Sequence, residues 1–348
     1  MVSTQKEALA TSEQPHAAYR ATQFILQSGL LIAVILLFIV LSIIAPNFLS
    51  ERNILNILRA VAFNGIIACG MTFVIISGDI DVSVGSAIAW SSSLLGVLAI
   101  KNGWNLEVAI VFVLIQGILI HLAASYIRVR WNVPAFVVTL ALFISLRGAA
   151  RLITNAYPVT PFPDYFSFIG GGFILEGIPF LSRGIPVPVV IMLTTFAIFY
   201  FISIRTVFGR SVYSVGGNEE AARLSGIPVW RTRMTIFAIT GFLAALCGVL
   251  ISSRIMSGAS NIAEGLEFEV IAAVIIGGTS LSGGQGSIIG TFLGVIFIGL
   301  LGNGMVLLGI QSFVQEIIRG FIILFAVLIS IWQNSLQKRV GAVAEAKT

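Results

Sequence analysis

Long apolar runs separated by short polar or Gly- and Pro-rich breaks set the pattern of this chain. The first run covers 24–45 and follows a polar stretch, 1–23, that carries Lys6, Glu7, Glu13 and Arg20. Nine more lie at roughly 54–77, 84–100, 106–127, 133–153, 187–204, 234–252, 267–280, 286–308 and 313–332. A helix rises about 1.5 Å per residue, so about 20 apolar residues cross the hydrocarbon core of a bilayer. The runs are too long and too uniformly apolar for the alternating strands of a barrel, and an open strand would leave backbone groups unpaired in lipid. The pattern predicts an all-α, polytopic transmembrane bundle of about ten helices (eight to eleven), with broken or re-entrant segments. Pro46-Asn47-Phe48 follows the first run where a signal peptide would show a small-residue cleavage site, so that run reads as an uncleaved spanning helix.

Composition agrees with the pattern. Of 348 residues 57% are apolar and only 10% are charged, against about 25% charged in a soluble domain. Such a chain cannot cover a water-facing surface, which excludes a cytosolic enzyme, a nucleic-acid binder and a disordered protein. The net charge of +5 comes from bases placed between apolar runs, where they set orientation. With the N-terminus inside, Lys6, Arg20, Arg128, Arg130, Arg205, Arg210, Arg223, Arg231, Arg233, Lys338, Arg339 and Lys347 fall on the cytoplasmic side, 12 of the 20 Lys and Arg. Both termini are then cytoplasmic. The loop 154–186, with five prolines and Gly170-Gly171-Gly172, faces out, and the polar loop 205–233 faces in. Cys69 and Cys247 lie in apolar runs without metal or redox spacing, and His16 and His121 are too far apart in sequence to suggest a metal site.

Three stretches carry candidate chemistry. In Ser77-Gly78-Asp79-Ile80-Asp81-Val82-Ser83-Val84-Gly85 two carboxylates sit between apolar runs, where they need water or a partner. Gly78 and Gly85 can break the helix, and Asp81 or Ser83 can cap the next one. A capped interhelical turn and a gate beside the pathway are both open readings. In the inward loop, Asn218 is an N-cap, Glu219 and Glu220 fill a first turn, Ala221, Ala222, Arg223 and Leu224 favour helix, and Ser225-Gly226 with Pro228 ends it. A helix this short is marginal in water. It must pack on its own bundle or dock a cytoplasmic partner. The third stretch, Gly277-Gly278-Thr279-Ser280-Leu281-Ser282-Gly283-Gly284-Gln285-Gly286, spells LSGGQ, the signature of ABC-type ATPases. No GxxxxGK[ST] accompanies it. It reads as a Gly-rich break between helices, and the chain is not expected to bind ATP.

Smaller signals surround these. Gly290 and Gly294 form a GxxxG suited to close helix packing. Arg147, Arg151, Glu264, Glu267, Glu269, Glu316 and Arg319 lie near outer helix ends, where snorkelling or surface pairing is the expected role. Val74-Ile75-Ile76-Ser77-Gly78 and Val274-Ile275-Ile276-Gly277-Gly278 suggest a weak internal repeat.

Four of these stretches, in this order, resemble the permease subunits of bacterial ABC importers of the ribose/xylose/arabinose/galactose class, which includes autoinducer-2 permeases. They are Gly70-Met71-Thr72-Phe73-Val74-Ile75-Ile76-Ser77-Gly78 with Ile80-Asp81-Val82-Ser83-Val84-Gly85-Ser86; Val133-Pro134-Ala135-Phe136-Val137-Val138-Thr139-Leu140 with Leu146-Arg147-Gly148; Gly209-Arg210 and Gly216-Gly217-Asn218 with Ala221-Ala222-Arg223-Leu224-Ser225-Gly226-Ile227; and Gly277-Gly278-Thr279-Ser280-Leu281-Ser282-Gly283-Gly284 with Gly286-Ser287-Ile288-Ile289-Gly290-Thr291. The resemblance covers roughly 46–332. It departs at Asp79, where the family usually has a second Gly.

The apolar runs and the charge bias set a membrane domain over 24–332 between cytoplasmic tails at 1–23 and 333–348, with 154–186 outside and 205–233 inside, and the resemblance makes these a permease domain, a periplasmic loop and a cytoplasmic coupling loop. It implies ATPase-coupling residues Gly217, Asn218, Glu219, Glu220, Ala221, Ala222, Arg223, Ser225 and Gly226. The helix breaks supply gate candidates Gly78, Asp79, Asp81, Ser83, Gly85, Gly277, Gly278, Gly283 and Gly284. The implied partners are ABC-type ATPase subunits that bind ATP and Mg, a periplasmic sugar-binding protein, a second permease subunit (identical or paralogous) and inner-membrane lipid. No catalytic residue, cofactor or metal of its own is implied, and the solute is a monosaccharide-sized sugar of unspecified identity. The rival reading is a secondary transporter driven by an ion gradient, for which Asp79 and Asp81 are the acidic pair near a helix break.

Overall fold

The computed structural model describes residues 29–177 and 182–345, those from 329 onward by backbone alone. The expected tail at 1–23 lies outside the described residues. The fold is a bundle of helices: α1 (Gly29–Ile44), α2 (Glu51–Ile76), α3 (Val84–Gly96), α4 (Leu106–Arg130), α5 (Ala135–Thr154), α6 (Ser167–Gly171), α7 (Val187–Arg205), α8 (Val207–Gly217), α9 (Glu219–Leu224), α10 (Val229–Ile255), α11 (Leu266–Ile276), α12 (Ile288–Leu307) and α13 (Ser312–Glu345). A π turn, Val97–Lys101, lengthens α3 at its end. Among the described residues seven helices are long and apolar enough to cross a membrane: α2, α3 with its π turn, α4, α5, α7, α10 and α12.

Sequence explains the ends of these helices. Ser50 caps α2 by accepting from the Asn53 amide, Asn105 caps α4 by accepting from Glu107 and Val108, and Ser287 caps α12 by accepting from Gly290. Pro134 and Pro186 stand immediately before α5 and α7. Two expected boundaries move. The run 267–280 is helical only to Ile276, because the glycines that follow cap it. No break separates 333–345 from the preceding helix, and α13 runs on to Glu345.

α2 is the central post. It is buried over 83% of its most apolar stretch, with Ile66, Ile67, Met71, Ile75 and Ile76 fully enclosed by α7, α10, α11 and α12. Cys69 and Cys247 are free, buried members of this core. By contrast α4 and α5 turn large apolar side chains outward, including Val108, Val111, Ile115, Leu119 and Ile144. In water such a surface would be a liability, and against acyl chains it is the stable arrangement. The described residues of the loop 154–186 are structured, as expected. It contains a cis Thr160–Pro161 bond, a 3-10 turn at Asp164–Phe166, α6 and a two-stranded ribbon pairing β1 (Phe173–Ile174) with β2 (Ile185–Pro186). Phe162 and Phe166 anchor it in the bundle.

The weak sequence repeat has a structural counterpart. At the end of α2, Ser77, Gly78 and Asp79 amides donate to Phe73, Ile75 and Val74. At the end of α11, Gly277, Gly278 and Thr279 donate to Ala273, Ile275 and Val274. Gly78 (φ 81°) and Gly278 (φ 88°) both take the left-handed conformation that closes such a cap, where a side chain would be strained.

Candidate functional site

The three stretches singled out in the sequence meet at one end of α2. The Ile76 carbonyl is left without an intrahelical partner there, and it accepts from the Gly284 amide at 2.8 Å. Gly216, near the end of α8, lies against the same two groups. A Cβ at Gly216 would overlap the Ile76 carbonyl oxygen and stand 2.6 Å from the Gly284 nitrogen. A Cβ at Gly283 would come 2.7 Å from the Gly216 oxygen and 3.1 Å from the Gly78 Cα. Backbone therefore touches backbone among the α2–α3 break, the α11–α12 break and the loop 205–233. Gly217 is looser, with only the Gly284 Cα within reach, at 4.0 Å.

The short helix forms as the residues dictate. The Asn218 side chain accepts from the Ala221 amide at 2.9 Å, and Glu219 and Glu220 occupy the first turn of α9. Ser225 ends it, and Gly226 (φ 80°) turns the chain left-handed. Ala222 is the one side chain of α9 that is buried. Glu220 and Arg223 pair on the surface at 2.6 Å, and Leu224 is 79% exposed.

An ion-pair chain ties this helix to the α2–α3 break. Arg233 of α10, 5% exposed, donates from both terminal nitrogens to the two Glu219 carboxylate oxygens at 2.8 Å each. Its Nε stands 3.2 Å from Asp79 Oδ2 without the alignment of a hydrogen bond. Arg128 of α4 donates from Nε and Nη2 to Asp79 Oδ1 at 3.2 and 3.1 Å. Two guanidinium groups thus balance two carboxylates. That balance is what permits Asp79, 4% exposed, to sit beside an apolar core. The Arg233 hydrogen bonds hold the Glu219 carboxyl below the usual carboxylate range.

Asp81 is completely buried one step deeper. Its Oδ1 accepts from the Ser83 amide at 2.9 Å and from the Ser83 hydroxyl, and its Oδ2 faces His121 Nε2 at 3.4 Å. His121 Nδ1 lies 3.1 Å from the Gly117 carbonyl oxygen of α4. Thr139 of α5 donates to the Ile80 carbonyl and accepts from the Val82 amide, pinning the break from the other side. The expected capping of α3 takes a different form. The Ser83 side chain makes no cap hydrogen bond to the helix and is engaged by Asp81.

Other expected residues lie apart from this junction. Gly85 faces Glu267 and the Ala263 carbonyl, where any Cβ would overlap the Glu267 carboxylate. Gly277 packs on the backbone of Gly290, within its own hairpin. The charges expected to snorkel divide. Arg151 and Glu264 form an exposed pair at 3.1 Å. Arg147 is 8% exposed and donates to the Ser260 and Ile262 carbonyls, and Glu267 is 1% exposed. Arg147 is interior because backbone carbonyls accept from its guanidinium, whereas Glu267 is packed against Gly85 with its Oε2 lacking a hydrogen-bond partner. Sequence reasoning missed Arg128, Arg233, His121, Thr139 and Gly216. The available signal was the pair of buried carboxylates, each of which requires a partner.

Fold and junction define a polytopic helical membrane protein whose charged, glycine-packed break is tied to an exposed knob outside the bundle. The chain belongs to the family described as branched-chain amino acid transport system / permease component, whose model matches residues 53–327. It is 48% identical over 305 residues to the probable ABC transporter permease protein YphD of Escherichia coli (strain K12), covering 87% of this chain and 89% of that one. It is 41% identical over 303 residues to the ribose import permease protein RbsC of Bacillus subtilis (strain 168), covering 86% and 91%. The xylose transport system permease protein XylH of E. coli (strain K12) is 34% identical over 345 residues, covering 84% and 87%. No solved structure matches the chain. The chain is accordingly a multi-pass permease subunit of an inner-membrane ABC importer, with ATPase activity on separate subunits. This replaces the secondary-transporter reading.

Proposed function

We propose that this subunit moves a monosaccharide-sized sugar of the ribose type inward, driven by ATP and Mg bound on partner ATPases. The ribose and xylose permeases among its relatives support the sugar class. About ten membrane segments, including α1, α11 and α13, place both termini in the cytoplasm, with 154–186 in the periplasm. A soluble sugar-binding protein docks on that outer face, and a second permease subunit, identical or paralogous, completes the pathway.

In this reading α9 is the coupling helix. The observation that carries it is the bidentate Arg233–Glu219 contact, because it fastens the inner side of an otherwise exposed helix to the α2–α3 break through Asp79. The exposed Glu220, Arg223 and Leu224 are left for a partner. A displaced α9 pulls on Arg233 and hence on Asp79 and Arg128. Gly216 pushes at the same moment on Ile76 and Gly284. The two breaks then shift together, and the bundle exchanges inward-open for outward-open packing as the ATPases bind the two states unequally. The solute passes unchanged, so no residue performs covalent chemistry.

The test is reconstitution of the complete importer with Glu220→Arg and Ala222→Trp in the permease. Sugar uptake and permease-stimulated ATPase activity are both expected to fall. Wild-type levels of both would refute coupling through α9. Sugar uptake into liposomes by the purified chain alone would refute the division of labour itself.

A further inference from the structure

A cavity of about 750 Å³ opens between α2, α11, α12 and α13. That size lies within the roughly 300–1,000 Å³ of small-ligand sites. α2 lines it with a stripe, Asn53, Asn56, Ala60 and Asn64, whose spacing places all four on one helix face. Three carboxamides along one face of a membrane-buried helix mark a polar path, since polar groups there are costly without a function. The stripe spans about 16 Å at 1.5 Å per residue, about half of a 30 Å hydrocarbon core. Its upper end lies beside Glu51, whose carboxylate accepts from Ser182 and the Arg183 amide of the loop 154–186. Below Asn64 every residue from Gly65 to Ile76 is buried, so the cavity is closed beneath.

The polar groups are held in place yet not exhausted. Asn53 and Asn303 exchange hydrogen bonds at 3.1 and 2.8 Å. Glu269 accepts from Arg319 at 2.6 Å through one oxygen and from Asn64 at 3.1 Å through the other. Each carboxylate oxygen retains a lone pair, and the Asn64 carbonyl and second amide hydrogen stay open. Phe268, 46% exposed, adds an apolar ring face to the same cavity. Paired donors and acceptors beside an aromatic face are the complement of a small polyol ring, whose hydroxyls both donate and accept and whose C–H face is apolar.

We propose that this cavity is a sugar-binding station inside the permease, with Asn56, Asn64, Glu269, Arg319 and Asn303 bonding hydroxyl groups and Phe268 covering the ring. The proposal rests on the importer reading above and adds a place where the solute pauses after leaving the soluble binding protein. α2 connects this station to the energy input, since its far end, Ile76, lies at the coupling junction.

The probes are D-ribose and D-xylose. In the complete importer, the Asn56→Cys variant is labelled by a membrane-impermeant thiol reagent added outside, while native Cys69 and Cys247 are buried. Millimolar sugar is expected to slow that labelling severalfold, and Asn102→Cys in the exposed turn before α4 serves as the sugar-insensitive control. Asn64→Leu, which loses about one hydrogen bond to the sugar, is expected to lower uptake roughly tenfold. Labelling of the Asn56→Cys variant that ignores both sugars, together with Asn64→Leu uptake within about twofold of wild type, would overturn the station and leave the importer reading standing. A wild-type importer that moves neither sugar would overturn the sugar reading and the station with it.

Discussion

The carbonyl oxygen of Ile76 and the amide of Gly284 form a 2.8 Å hydrogen bond that joins the last turn of one helix to a loop far along the chain. The bond fits only because Gly216 presents no side chain to it. Gly216→Val is therefore expected to destabilise the subunit by about 1–3 kcal/mol, the range for overpacking a filled site. It should also suppress stimulated ATPase activity in the assembled importer. Gly217→Ala, with open space around it, should change neither. Thermal melting of the purified subunit and ATPase assays of the complex check both. Equal effects at the two positions would show that backbone contact is not what Gly216 supplies.

Arg233 is the hinge pin of the charge chain. Arg233→Ala leaves Asp79 with Arg128 alone and frees Glu219. Removing one partner of a buried pair costs about 3–5 kcal/mol. Two carboxylates then face the single Arg128 guanidinium, and adding Asp79→Asn removes one of them and should recover part of that loss. A double-mutant cycle on melting measures the coupling, which for neighbours in one network is about 0.5–3 kcal/mol. Additive effects would mean that the 3.2 Å approach carries no energy.

Much of this architecture is written locally. The apolar runs, the Gly78 and Gly278 breaks and the Asn218 cap each depend on residues a few positions apart, so periodicity and capping rules find them. The charge chain is different. Arg128, Asp79, Glu219 and Arg233 come from four separate segments, and nothing in their spacing pairs them. As bases between apolar runs, Arg128 and Arg233 look like orientation signals, and only the packing of α4 and α10 beside the break turns them inward. His121 was hidden for the same reason. The asparagine stripe of α2 was legible as a spacing but masked by the strong apolar character of the helix that carries it.

Asn218 closes the first turn of α9 through its bond to the Ala221 amide. Asn218→Ala should weaken that helix by about 0.5–2 kcal/mol. The loss is local, because α9 buries only Ala222. Hydrogen exchange is expected to accelerate at Ala221 and Ala222 while the α2 core keeps its protection, and coupled ATPase activity should fall without a change in melting temperature. Uniform acceleration across the bundle would contradict a local cap.

The Glu219 anchor should carry a pH signature. Its carboxyl is held below the usual range chiefly by the Arg233 hydrogen bonds, with burial opposing. A lowered folded-state pKa contributes stability that is fully present above the ordinary carboxylate value of about 4.3 and is lost as pH falls through the lowered value. Half of the Glu219 side chain is open to water, so screening keeps the effect small. Glu219→Gln should therefore melt slightly below wild type at neutral pH. As the medium is acidified beyond the ordinary carboxylate range, the wild type should fall toward the variant until the two coincide. High salt should narrow the neutral-pH gap. A gap that persists unchanged into acid, or one that widens there, would mean that the Arg233–Glu219 contact is not an ionic anchor and that α9 is held to the bundle by Ala222 alone.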